Sequence, residues 1–344
     1  MKIIVVGGTT PLGQRLVRAL CATLAVAEGD APVADEQIVS VDAVRAGTAP
    51  SRLFVDDRLG YAIGDAAMPS WLAHVMGADT TSVIVLAAGL ARDDADDELR
   101  ATVDATRALL EACRARIGRA AGLMAPLGAP PRPAPRFVLV FAQRPDADST
   151  SVQVQRARRV AIARLLVADY ADCGHVDGRI VELPSLVDAT ASGDEPLRTD
   201  IGAWLGWALC ESVAGRDVVC PNDTVPWSLV SAQAAVRAII DAHAQPAADW
   251  SCIETRGRRV SGVRATAFGW IEAMRAATPA DVAARWSVAG DAAAAGDRVG
   301  ELLQSDRRGN IDTLPGDADL SALVRTTFED ATRDDDGSTR KPAP

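Results

Sequence analysis

The stretch "IIVVGGTTPLGQRL", residues 3–16, decides how this chain is read. Ile3, Ile4, Val5 and Val6 form a run of β-branched residues, the composition of a buried strand. Two glycines, Gly7 and Gly8, break that run. A helical period then begins in which Leu12, Leu16 and Leu20 recur every fourth residue. A strand that turns through glycine into a helix presents backbone N–H groups at a helix N-terminus, where the dipole favours an anion. The spacing Gly7-x-x-Thr10-x-x-Gly13 matches a dinucleotide-binding fingerprint except at its middle position. There Thr10 puts a β-branched side chain where glycine would let a diphosphate come close. A Walker loop is excluded, because Gly13 is followed by Gln14 and Arg15.

Outward from this turn, short β-branched runs alternate with longer helical segments. Strands are predicted at 2–6, 38–42, 61–64, 82–88, 137–142 and 179–183, with helices at 11–26, 68–76, 95–117 and 150–172. In the third helix Leu99, Val103, Thr106, Leu110, Cys113 and Ile117 mark one face. This alternation predicts an α/β fold, a doubly wound parallel sheet covered on both faces, over residues 1–185. After Pro184 the elements shorten and mix, so 186–330 read as a smaller mixed α/β lobe. The tryptophans 204, 207, 227, 250, 270 and 286 are expected in its core. The tail 331–344 is charged and poor in apolar residues, the composition of disorder. The proline-rich segment 118–136 reads as a surface insertion.

Composition bounds the function. The net charge of −10 argues against a nucleic-acid partner. Apolar runs such as Ile84–Leu90 are too short to span a bilayer, and the start lacks the features of a secretory signal, so a cytoplasmic location is expected. The six cysteines are scattered, form no C-x-x-C pair, and read as small buried hydrophobes in a reducing compartment. No metal site is expected. Lysine occurs only at Lys2 and Lys341, so no interior lysine is available for chemistry.

With the stretches "GGTTPLGQRLVRAL", "IGDAAMPSWL", "VIVLAAG", "ATRALLEACRA", "ARLLVADYADCGHVDGRIVELPS", "SVAGRDVVCP" and "VSAQAAVRAII", the chain resembles the extended short-chain dehydrogenase/reductases. Within them it is most similar to the NAD-dependent epimerase/dehydratase branch, in the flavour of the D-erythronate-type sugar-acid dehydrogenases. Asp42, closing the second strand, suits a ribose hydroxyl and NAD over NADP. The resemblance implies that NAD is held by Gly7, Gly8, Thr9, Thr10, Leu12, Gly13 and Asp42, that Asp65 contacts adenine, and that Ala87 and Ala88 line the trough. It also implies a homodimer through helices 95–117 and 150–172, where Ala157, Val160, Ala161, Leu165 and Ala168 give a broad apolar face.

Family chemistry rests on a serine, a Tyr-x-x-x-Lys pair and a helix asparagine. Aligned on the family helix, Arg156 stands at the tyrosine position and Val160 at the lysine position. Ala142 falls at or beside the serine position, and Thr102 replaces the asparagine. No shift of register restores the set, since the tyrosines are Tyr61 and Tyr170 and no serine lies between Ser82 and Ser149. Arginine cannot act as a base near neutral pH, but Arg156 can bind a carboxylate or stabilise an oxyanion. Gln143, just past the fifth strand, stands where ligands bind in open α/β sheets. His175 and Asp188 read as structural, the latter as a turn or helix cap.

Three functions stay open from the sequence. The chain could be a non-redox isomerase, cyclase or lyase taking a small ligand, neutral or anionic, or a non-catalytic member of the family. The alternative is an NAD(P)-dependent oxidoreductase or epimerase of a sugar or sugar acid with an unorthodox acid/base. Thr10 and the missing lysine predict NAD binding weakened by about two orders of magnitude, or none, since each lost contact is of hydrogen-bond size. No turnover by the ordinary dehydrogenase or epimerase machinery is expected.

Overall fold

A computed structural model describes residues 1–27, 37–42, 53–77, 79–87, 95–121, 133–142, 151–189, 201–220, 227–251, 257–288 and 313–332. The chain divides into two units. The first comprises 1–141, 146–182 and 239–258, the second 142–145, 183–238 and 259–344. The segment 239–258, which the sequence pattern gives to the second lobe, thus belongs to the first unit. The tail expected from 331 still contributes Ala331 and Thr332 to a helix, and 333–344 lie outside the described residues.

In the first unit the order is β1 (Lys2–Val6), α1 (Pro11–Ala27), β2 (Gln37–Asp42), β3 (Leu59–Ile63), α2 (Pro69–Val75) and β4 (Thr80–Leu86). There follow α3 (Ala95–Ala121), β5 (Arg136–Ala142), α4 (Ser151–Asp172) and β6 (Asp177–Leu183). Further on come β7 (Ser185–Val187), α5 (Ile201–Val213), β8 (Val218–Cys220), β9 (Trp227–Ser231), α6 (Ala232–Ala244) and α7 (Ala248–Ser251). The last elements are β10 (Gly257–Val260), β11 (Val263–Ala265), α8 (Ala267–Ala277), α9 (Ala280–Ala283), β12 (Trp286–Val288), β13 (Thr313–Leu314) and α10 (Leu320–Thr332).

The first unit's sheet runs β10-β6-β5-β4-β1-β2-β3. Parallel pairing centres on β1, where Val6 stands beside Val41 of β2 on one side and Val85 of β4 on the other. The chain winds outward from β1 in one direction to β3, then crosses back to β4 and continues the other way. This is the doubly wound Rossmann-like arrangement, and the reversal between β1 and β4 opens a crevice beyond their carboxyl ends. The sheet is buried on both faces. Ile4, Val6, Val83, Val85, Phe137 and Leu139 pack with Leu109, Leu110 and Cys113 of α3 and Ala163 and Val167 of α4. Ile3, Val5, Ile38, Ile84 and Val138 alternate with them and are also buried. Continuous Val/Ile/Leu runs are what a strand covered on both sides requires.

The second unit builds its own core. Its β9 pairs antiparallel with β11 and parallel with β7. Trp204, Trp227, Trp270 and Trp286 pack together with Leu205, Leu209 and Leu323. The indole of Trp286 lies edge-on to Trp204, their centroids 6.3 Å apart. Gly202 and Gly206 let α5 press onto β7, since a Cβ at Gly206 would lie 2.1 Å from the carbonyl oxygen of Asp188. Trp250 departs from the sequence expectation. It lies in the first unit, where its indole N–H donates to Gln245 Oε1 at 3.0 Å and Arg258 stacks on its ring. Among the described residues no helix is long and apolar enough to cross a membrane.

Candidate nucleotide-binding edge

The carboxyl edge of the first sheet at β1 and β4 is where the topology places a ligand. Gly7 leaves β1 with φ of 86°, a left-handed conformation that glycine adopts without strain. Its N–H donates to Val41 O at 2.9 Å, so the turn is pinned to β2. Gly13 is the point of closest approach between helix and turn, because a Cβ there would meet Gly7 O at 2.1 Å. Both conserve the geometry the spacing predicts.

Thr10 does something the spacing does not foresee. Its hydroxyl donates to Gly7 O at 2.7 Å and accepts the Gly13 N–H at 3.1 Å. Thr10 is therefore the N-cap of α1, with Pro11 as first helical residue, a pairing common at helix starts. The signal was present in the sequence as Thr-Pro ahead of the apolar period.

Asp42 ends β2 with only 6% of its surface exposed. One carboxylate oxygen accepts the Thr9 N–H at 3.2 Å and the other the Ser40 hydroxyl at 2.7 Å. The acid thus braces the glycine turn as well as facing the edge. Ser40 was not singled out in the sequence, yet it orients this carboxylate, and a Cβ on Gly8 would collide with its hydroxyl at 2.3 Å. Asp65 follows β3 and accepts the Ala67 N–H at 2.8 Å, holding the turn into α2. Ala87 follows β4 and is half-buried, while Ala88 lies outside the described residues.

Further along the edge, Glu182 of β6 is buried and pairs with Arg164 of α4 at 2.7 Å, and Arg164 also lies over the Phe141 ring. This pair ties the middle of α4 to the carboxyl ends of β5 and β6. Arg156 falls on α4 two turns earlier, but its side chain lies outside the described residues, as does Gln143. Ala142 is the last residue of β5, and Thr102 is buried on α3.

The two tyrosines are committed elsewhere. Tyr61 in β3 donates to Phe54 O at 2.7 Å, and burial together with the nearby Asp42 charge raises its pKa. Tyr170, near the last turn of α4, donates to Glu111 of α3. Burial and that carboxylate push it up to about 12. Its ring also meets His175 edge-on, giving that histidine a packing role. Asp188 is buried just past β7. Of the cysteines, Cys21, Cys113 and Cys220 are buried, Cys210 is half-buried and Cys173 is exposed, while Cys252 lies outside the described residues. Among the described residues no three potential ligands are grouped to hold a metal.

No family model matches the chain. A D-erythronate dehydrogenase from Cupriavidus necator is 30% identical over 364 aligned positions, covering 96% of this chain and 99% of that protein. The chain belongs to the extended short-chain dehydrogenase/reductase family, in its NAD-dependent epimerase/dehydratase branch. Solved structures agree on the fold. A nucleoside-diphosphate-sugar epimerase from Agrobacterium tumefaciens superposes with a TM-score of 0.62 at 21% identity, over 85% of this chain and 82% of its own. An L-threonine dehydrogenase from Clostridium difficile gives 0.64 at 12% identity, over 96% and 97%.

A nicotinamide dinucleotide is the cofactor this family implies, and the edge fits its adenosine half. A strand-end acid, a second acid after β3 and a glycine turn with no room for side chains are all present. At the diphosphate position Pro11 has no N–H and the Thr10 hydroxyl accepts the Gly13 amide.

Proposed function

We propose that this protein is an NAD(P)-dependent oxidoreductase or epimerase acting on a sugar or sugar acid, with an acid/base other than the family tyrosine. The observation that carries this is the end-to-end relationship to a sugar-acid dehydrogenase, together with a glycine turn and Asp42 kept in working geometry. Asp42 would hold the adenosine ribose, Asp65 and Ala87–Ala88 the base and trough, and the turn of Gly7, Gly8, Thr9, Thr10, Leu12 and Gly13 would lie beside the diphosphate. When bound, the nicotinamide supplies the hydride acceptor or donor.

The remaining work falls to the chain. Arg156 binds a substrate carboxylate or steadies the developing alkoxide, and Gln143 orients the substrate by hydrogen bonds. Neither group takes a proton near neutral pH, so water or hydroxide is the acid/base that stands in for the tyrosine and receives the hydroxyl proton. Oxidation should then accelerate about tenfold per pH unit across the alkaline range, until another step limits. The exposed Ile162 and Leu165 on α4, 45% and 71% accessible, support a homodimer through α3 and α4.

The test is absorbance at 340 nm with NAD or NADP and four-carbon sugar acids such as D-erythronate. Slow turnover that needs both enzyme and substrate and climbs with pH supports the reading. No turnover above the blank between pH 7 and 10 overturns it. One observation favours a second reading, a non-redox enzyme or non-catalytic family member: the chain has no Tyr-x-x-x-Lys pair, and both its tyrosines hold their hydroxyls on neighbours. Nucleotide binding without turnover would support that reading instead.

A further inference from the structure

We infer that Thr10 and Pro11 make the phosphate turn self-capped, so that this chain binds a dinucleotide mainly through its adenosine and gains little from the diphosphate. The inference rests on the nucleotide reading above and concerns which part of the ligand supplies affinity.

Each N–H in the turn is an obligatory donor that must go somewhere. The Gly7 N–H goes to Val41 O and the Thr10 N–H to Gly7 O at 3.1 Å. That of Thr9 goes to the Asp42 carboxylate. Pro11 has none. The Gly13 amide goes to the Thr10 hydroxyl, and the Gln14 amide to Thr10 O at 2.8 Å. Gly8 and Leu12 keep their N–H groups without a protein partner among the described residues, and Gly8 is buried under the turn. The first turn of α1 therefore offers a diphosphate one amide, that of Leu12.

A helix N-terminus attracts phosphate because several unsatisfied amides converge on it. Here one is missing chemically and one is already satisfied. The Thr10 hydroxyl also donates to Gly7 O, which fixes it in the turn and leaves its proton unavailable to an incoming oxygen. The crowding expected from the β-branched side chain is thus accompanied by a competing hydrogen bond. The adenosine side carries no such competition, because Asp42 has further lone pairs beyond the two bonds it accepts.

The test compares NAD+ with adenosine, by calorimetry for the former and saturation-transfer NMR for the latter, on three variants of the full chain. Thr10→Gly frees the Gly13 amide and keeps a residue tolerated at an N-cap. Pro11→Ala restores an N–H at an exposed position. Thr10→Ser keeps the capping hydroxyl. The expected result is that the double variant Thr10→Gly/Pro11→Ala binds NAD+ about 10- to 100-fold more tightly than the natural chain. Adenosine affinity should stay within about twofold, and Thr10→Ser should gain nothing. Adenosine binding with no gain for NAD+ in the double variant overturns this inference alone. Failure of every variant to bind either compound overturns the nucleotide reading and this inference together. Equal thermal midpoints for all chains exclude a folding effect.

Discussion

The two edges of the first unit's sheet are both rich in charge, yet they use it in opposite ways. At the amino edge, Arg179 is fully buried and donates to Asp177 at the start of its own strand and to the carbonyls of Ala242 and His243. Arg136 reaches the same His243 carbonyl and the same aspartate. Two guanidiniums thereby cap the carboxyl end of α6, where the helix dipole is negative. His243 closes the cluster by a 2.9 Å contact with Ser82. At the carboxyl edge, by contrast, Asp42 accepts from Thr9 and Ser40 and braces a glycine turn, with the Glu182–Arg164 pair further along. The charge at the amino edge ties a helix end to the strands, whereas at the carboxyl edge Asp42 serves the turn proposed to face the nucleotide.

That contrast can be broken most forcefully at Arg179. Replacing it with alanine leaves Asp177 with Arg136 alone and takes the donor from the Ala242 carbonyl, at a cost of about 3–5 kcal/mol. Urea denaturation should show a large loss of midpoint, while Arg179→Met, which keeps volume, loses less. A change within 1 kcal/mol for alanine would mean that the amino edge is not the structural one.

His243 gives a smaller, pH-dependent effect. Burial, then the charges of Arg136 and Arg179, push its pKa down to about 4, opposed by Asp177. The unfolded chain binds the proton near pH 6.5, so below that point the unfolded state takes up protons that the folded state refuses. The contribution is complete above about pH 6.5 and is lost as the pH falls toward 4, reaching about 2–3 kcal/mol at pH 4.5. Comparing His243→Gln with the natural chain at pH 7.5 and 4.5 isolates it. The natural chain should weaken more steeply across that interval.

Thr10→Ala removes the cap of α1 and should destabilise by about 1 kcal/mol, read as a drop in thermal midpoint. Its smallness would confirm that the carboxyl edge contributes little to stability. Smallest of all, Leu165→Arg should leave the fold of the single chain intact, because this side chain is 71% exposed in it, and should lower the midpoint only by the loss of the partner. In light scattering it should turn a dimer into a monomer. A natural chain that is already monomeric at micromolar concentration would sink the dimer.

The alternation of strand and helix was legible from residue 1 to 183 because strands buried on both faces must be apolar throughout. Observed ends fall within two residues of those read from the pattern, except that α3 runs four residues further, to Ala121, into the segment read as a surface insertion. The glycine turn and Asp42 were legible for the same reason, being fixed by local geometry. Residues 239–258 were not. The apolar stripe of α6 says that the helix is buried, without saying in which core. Trp250 was misplaced with it, and the arginines that receive the end of α6 are distant in sequence. The role of Thr10 was half legible: Thr-Pro announces a cap, but only the fold shows which amide it takes.

The difference between the edges is tested most directly by hydrogen–deuterium exchange with and without saturating NAD+. Protection should rise in peptides covering 7–16 and 37–42 and stay unchanged across 239–251. Protection at 239–251, or none at either edge, would contradict the assignment of the carboxyl edge as the functional one.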